Sequence, residues 1–124
     1  MVDFTNKKVF KLSGEKIEKG EKVVADLLIP GETVIDSYVS VRDRLVFTNK
    51  RIISVNVQGV TGMKKDFTSI PYNKIQTFSI ETAGLMDMDA ELQLYVSSIG
   101  MITFELMGGN NLKKLCAAIS EHIL

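Results

Sequence analysis

The sequence predicts a single, mainly β domain: a curved sandwich or partly open barrel of about seven antiparallel strands, with one helix before it and one after it. Three observations carry that prediction. From Thr33 to Met107 apolar residues recur at every second position in short runs, which is the period of a half-buried strand. The connections between runs carry Gly, Asn or Asp and are too short for the helical crossovers that parallel strands require. After Gly108-Gly109 the apolar period changes to 3.6, the period of an amphipathic helix.

Residues 1–12 alternate weakly and carry Lys7, Lys8 and Lys11, and they are expected to form an N-terminal arm, with the domain proper at 13–124. Ser13 is placed to cap a helix over residues 15–28, and Glu15 suits its positive N-terminus. Ile17, Val24, Leu27 and Leu28 share a helical face, widened by Val23 and Ala25. Gly20 inside that helix costs about 1 kcal/mol relative to Ala, and Pro30-Gly31 ends it. In TVIDSYVSV, Ile35, Val39 and Val41 share one parity, with Asp36, Tyr38 and Ser40 on the other. Asp43-Arg44 and Asn49-Lys50 are expected reversals, because Asp and Asn tolerate turn geometry. Leu45 and Phe47 share a face between them, and Ile53, Val55 and Val57 share one after them. Gly59 and Gly62 bracket the next connection, and a strand through Phe67, Ser69 and Ile70 ends near Pro71, whose missing amide suits a strand end. Ile75–Thr82 follows with Phe78 and Ile80 on one face, and TAGLMDMDAE then reads as a loop. Leu92, Leu94 and Val96 alternate cleanly with Glu91, Gln93 and Tyr95, and Ile102, Phe104 and Leu106 repeat the pattern. Asn110 or Asn111 caps a final helix to about residue 123, striped by Leu112, Leu115, Cys116, Ile119 and Ile123.

Composition excludes several classes. The hydrophobic share of 45% is far above that of a disordered chain. Fifteen Lys and Arg against fifteen Asp and Glu argue against a strongly basic nucleic-acid-binding domain and against an acidic tail. Zero net charge also weakens repulsion between copies. The balance conceals a mild asymmetry, since residues 1–62 carry a formal +2 and residues 63–124 a formal −2. A single cysteine, Cys116, permits neither an intrachain disulfide nor a thiolate metal cluster. The N-terminal stretch lacks a signal-peptide core, and no window approaches 18 apolar residues, so a cytoplasmic location is the expectation.

Catalytic chemistry finds little material. His122 is the only histidine, and it lies six residues from Cys116, about 9 Å along a helix. Asp87, Asp89 and Glu91 invite a divalent cation but lack the ligand series and glycine of a calcium loop, so a solvated loop without metal is expected. Gly59, Gly62, Gly84, Gly108 and Gly109 form no phosphate-cradling motif. Lys64-Lys65 without an aromatic-rich groove does not make a nucleic-acid site. The expectation is a noncatalytic protein without a cofactor.

The run LVFTNKRIISV, Leu45 to Val55, resembles a signature of bacterial pleckstrin-homology-like proteins. SIPYNKIQTFSIE at Ser69–Glu81 and the AELQLYVSS…ITFEL hairpin before the last helix match in the same order. Over residues 15–124 the chain is similar to the short bacterial PH-domain family once classified only as a domain of unknown function. The resemblance implies a seven-stranded PH-like sandwich closed by a C-terminal amphipathic helix, with an added N-terminal helix. It also implies ring-shaped homo-oligomers, commonly pentamers, and no catalytic constellation. Thr48, Asn49, Lys50 and Arg51 are its signature residues, expected to tie a hairpin or to contact a partner, with the Arg51 stem over apolar surface and its guanidinium on a carboxylate or carbonyl.

Arg42 and Arg44 complete the set of candidate interaction residues. VSVRDRLVF is shorter than the familiar lipid-binding hairpin and carries Asp43, a departure that counts against inositol-phosphate recognition. The expected partners are copies of the chain itself and a further protein, with weak attraction to an anionic membrane through Arg42, Arg44, Lys50, Arg51, Lys64 and Lys65 as the alternative. Met63, Leu85, Met86, Met88 and Met101 are expected to supply apolar association surface near the turns.

Overall fold

The computed structural model describes residues 4, 9–59, 62–82, 89–109 and 112–124. Among the described residues eight strands form one curled sheet: β1 (Val9–Gly14), β2 (Val34–Val39), β3 (Asp43–Thr48), β4 (Arg51–Gln58), β5 (Lys64–Pro71), β6 (Thr77–Thr82), β7 (Ala90–Val96) and β8 (Gly100–Met107). Helix α1 (Ile17–Val24) runs into a 3-10 turn at Ala25–Leu27, a second 3-10 turn covers Tyr72–Lys74, and helix α2 (Leu112–Ile123) closes the chain. The strand order is β5-β4-β3-β2-β1-β8-β7-β6. All neighbours are antiparallel except β1 and β8, which run parallel from Val9↔Thr103 to Ser13↔Met107.

Strand β1 raises the number of strands among the described residues to eight and places residues 9–12 of the expected arm in the sheet. Phe10 and Leu12 are buried while Lys11 and Ser13 are exposed, a period-2 pattern that bridges β2 to β8. Ser13 is therefore a strand residue. Lys16 stands at the helix start without a side-chain cap bond, and α1 is shorter than the residues 15–28 expected. The expected reversal at Asp43-Arg44 moves to Ser40–Arg42, because Asp43 already pairs with Asn56 in the sheet. The Asn49-Lys50 reversal lies where the sequence places it. Asn110, Asn111, Leu85, Met86, Asp87 and Met88 lie outside the described residues.

The inner face of the sheet holds the main core: Phe10, Leu12, Tyr38, Leu45, Phe47, Leu92, Leu94, Ile102, Phe104 and Leu106, closed by Leu115, Ala118 and Ile119 of α2. The outer face of the first half is covered by α1, where Val24 meets Val46, Ile53 and Val55 in a second cluster. Gly20 makes this approach feasible, since a Cβ there would overlap the Ser37 side chain on β2. Among the described residues no helix is long and apolar enough to cross a membrane, which says nothing about strands.

Candidate functional site

The signature residues gather at the β3–β4 hairpin, where they close on Glu32. Thr48 ends β3 fully buried, and its Oγ1 accepts from the amides of Lys50 and Arg51, both at 3.0 Å. The same hydroxyl donates to Glu32 Oε2 at 2.7 Å. Arg51 forks onto that carboxylate, Nε to Oε2 at 2.9 Å and Nη2 to Oε1 at 3.0 Å. Its Nη2 also donates to the Leu27 carbonyl at 2.6 Å and its Nη1 to Ser69 Oγ at 2.9 Å. The Ile29 amide completes the shell of Glu32 at 3.1 Å. Asn49 stitches the turn to the segment after α1, its Oδ1 accepting from the Thr33 amide at 2.9 Å and its Nδ2 donating to the Gly31 carbonyl at 3.0 Å. Below the turn, Tyr72 Oη donates to the Thr48 carbonyl at 2.6 Å.

Glu32 is 7% exposed. Burial disfavours its charge, but the hydrogen bonds from Arg51, Thr48 and Ile29 outweigh that penalty, and its carboxyl lies below the usual value of 4.5. Lys50, at the tip, is exposed. Thr48, Asn49 and Arg51 thus serve as a tie between the α1–β2 connection, β3, β4 and β5.

Arg44 sits apart on the outer face. It is bidentate to Glu15, Nε to Oε2 at 2.6 Å and Nη2 to Oε1 at 3.0 Å, and Ser37 Oγ adds 2.7 Å to the same carboxylate. Burial again opposes ionisation of Glu15, and Arg44 and Ser37 again overcome it, so its carboxyl is also lowered. Arg42 Nη1 donates to the carbonyls of Val57 at 3.3 Å and Gly59 at 3.2 Å. Arg42 and Arg44, with Lys65 of β5, border a cavity of about 180 Å³ whose apolar wall includes Val23, Val39 and Val57. Arg51 and Lys50 lie at the opposite end of β3 and β4, so the six candidate residues form two separate groups.

Buried polar groups that the sequence reading left unassigned belong to the same structural logic. Asp36 Oδ2 accepts from Tyr38 Oη at 2.7 Å and its Oδ1 accepts from the Ser37 amide at 3.0 Å. Burial, reinforced by Asp36, pushes the Tyr38 phenol far above its usual value of 10.0. Burial raises the Tyr72 phenol likewise. Among the described residues, no buried side-chain nitrogen or oxygen lacks a partner. Burial also raises the Cys116 thiol, which suppresses the thiolate a nucleophile needs. His122 holds the Ala118 carbonyl at 2.8 Å and lies against the Tyr72 ring at 5.5 Å between centroids. Asp89 Oδ1 accepts from the Gly108 amide at 2.9 Å. Among the described residues no three His, Cys, Asp or Glu side chains are grouped to hold a metal ion.

The sequence model of a family described as "Bacterial PH domain" matches residues 3–123. An uncharacterized protein of Bacillus subtilis, YozO, is 34% identical over 104 residues, covering 82% of this chain and 88% of that protein. A second one, YjqA, is 48% identical over 77 residues, which span 62% of either chain. The crystal structure of a DUF1696 family protein with a pleckstrin-homology domain from Shewanella loihica PV-4 superposes with a TM-score of 0.70 at 34% identity, covering 93% of this chain and 99% of that one. A pleckstrin homology domain from Shewanella amazonensis SB2B gives 0.57 at 38% identity, covering 89% and 90%.

Proposed function

The chain belongs to the bacterial PH domain family, and from that premise we propose that it is a noncatalytic module that assembles with copies of itself and offers the assembly as a binding scaffold for another protein. The observation that carries this reading is the open sheet. It ends at β5 on one side and β6 on the other, and neither outer edge has a sheet neighbour among the described residues. Unpaired edges are ready templates for pairing with another chain. Exposed apolar side chains lie along or near the sheet, including Phe67 on β5 and Met63 just before it.

Two further observations support a noncatalytic role. The buried carboxylates of Glu32, Glu15 and Asp36 are each engaged by hydrogen bonds within the fold. The raised Cys116 thiol and the tethered His122 share no relay. Attraction to an anionic membrane is the weaker reading, because Arg44 and Arg51 are already neutralised by Glu15 and Glu32.

Size-exclusion chromatography with multi-angle light scattering tests the assembly. A defined multimer of the 13.8 kDa chain is expected across a broad concentration range, a ring if the contact closes on itself. A strictly monomeric protein over that range contradicts the proposal.

A further inference from the structure

We propose that the cavity between α1 and the Arg42 end of the sheet binds a short aliphatic monocarboxylate, its tail on valine side chains and its carboxylate between Arg42 and Lys65. The inference is independent of self-assembly and concerns the outer face of β2–β5. On that face Val39, Arg44, Val55 and Phe67 form one row across the four strands. The next row holds Arg42, Val57 and Lys65, since the Val57 amide donates to the Arg42 carbonyl at 2.8 Å and Val57 pairs with Lys65.

Helix α1 covers this face only in part. Its Val24 packs on Val46, Ile53 and Val55, while Val23 is the α1 residue that borders the cavity. Val39 and Val57 stay half-buried, and the space left above them is the cavity of about 180 Å³. A dry cavity of about 150 Å³ accepts benzene, so this one suits a ligand of roughly eight non-hydrogen atoms. A nucleotide or an inositol polyphosphate is too large for it and too polar for its valine wall.

The cations at the rim set the head group. Arg44 is already neutralised by Glu15. Arg42 uses only Nη1, on the carbonyls of Val57 and Gly59, and among the described residues its Nε and Nη2 carry no hydrogen bond. Among the described residues Lys65 belongs to no ion pair. Asp43 is buried, shares the core-facing parity of Leu45, and accepts from Asn56 Nδ2 at 2.8 Å, so its charge is held within the fold. A guanidinium with spare donors and an ammonium as a point charge suit one carboxylate between them. The apolar floor beneath them requires a hydrocarbon tail, and charge and size together select a branched acid of about six carbons.

The test titrates the isotope-labelled full chain with isocaproate and follows its amide resonances by two-dimensional NMR. Saturable shifts are expected at Val39, Ser40, Arg42 and Val57, with a dissociation constant in the millimolar range. Isocaproamide, which has the same shape without the charge, should bind at least about tenfold more weakly, and so should acetate and inorganic phosphate, which lack the tail. Lys65→Gln and Arg42→Gln should each weaken isocaproate about tenfold, with circular dichroism unchanged because both positions are exposed. Equal affinity for acid and amide, equal affinity for isocaproate and inorganic phosphate, or no saturable shift at these amides overturns the site. Co-sedimentation with phosphatidylglycerol vesicles by a chain that ignores isocaproate assigns the cations to a lipid surface and overturns it as well.

Discussion

Replacing Arg51 by alanine removes four hydrogen bonds at once: two to Glu32, one to the Leu27 carbonyl and one to Ser69 Oγ. Glu32, 7% exposed, is left charged in a site built for an ion pair. Breaking a buried pair from one side costs about 3–5 kcal/mol. The Arg51 side chain is 20% exposed, so water can enter its place, and about 3 kcal/mol is the expected loss. For a domain of this size that is a fall of about 12 °C in Tm.

The acid dependence changes as well. In the wild type the folded-state carboxyl of Glu32 lies below its usual 4.5, so its contribution is present above that value and is lost as pH falls through the folded pKa. Without Arg51 this contribution shrinks or reverses, because burial alone raises a carboxyl. Urea unfolding at fixed protein concentration, at pH 7 and pH 4, measures both effects. A variant within about 0.5 kcal/mol of wild type, with an unchanged acid profile, refutes the role of Arg51 as a structural tie and returns the turn to a ligand-contact role.

Three other substitutions probe the same framework. Gly20→Ala should destabilise by about 2 kcal/mol, because overlap with Ser37 exceeds the roughly 1 kcal/mol gained at an open helical site; thermal melts decide the sign. Arg44→Ala should cost about 1–2 kcal/mol at pH 7. It should also flatten the acid profile below 4.5, since Arg44 is the main group lowering the Glu15 carboxyl. Thr48→Val keeps the shape but strands the amides of Lys50 and Arg51, and a loss of about 1–3 kcal/mol is expected in urea titrations.

Much of the sheet was legible from period alone. Leu92, Leu94, Val96, Ile102, Phe104 and Leu106 are buried as their alternation requires, because β7 and β8 bury one regular face. The stripe on α2 was legible for the same reason, with Leu115 and Ile119 fully buried. β1 was obscured because Lys7, Lys8 and Lys11 dominate its surroundings and Ser13 imitates a helix cap. In β2 the shared parity of Ile35, Val39 and Val41 misleads. The register shifts between Val34 and Asp36, so Tyr38 enters the core, while Val41 lies beyond the strand in the β2–β3 turn and is 98% exposed. Such a bulge leaves no simple trace in hydropathy.

The TNKR turn was readable as a turn, but its partner was not. Glu32 lies 16 residues before Thr48 and 19 before Arg51, and only the folded connection after α1 brings it there. The edges were equally hidden, because local patterning does not say which strands end a sheet.

Amide hydrogen exchange of the full chain at increasing concentration tests most directly the claim that this module acts through its sheet edges. Protection is expected to rise with concentration in peptides covering Lys64–Ile70 and Thr77–Thr82 while the Asn49–Arg51 turn stays unchanged. Edge amides that exchange identically at every concentration would contradict it.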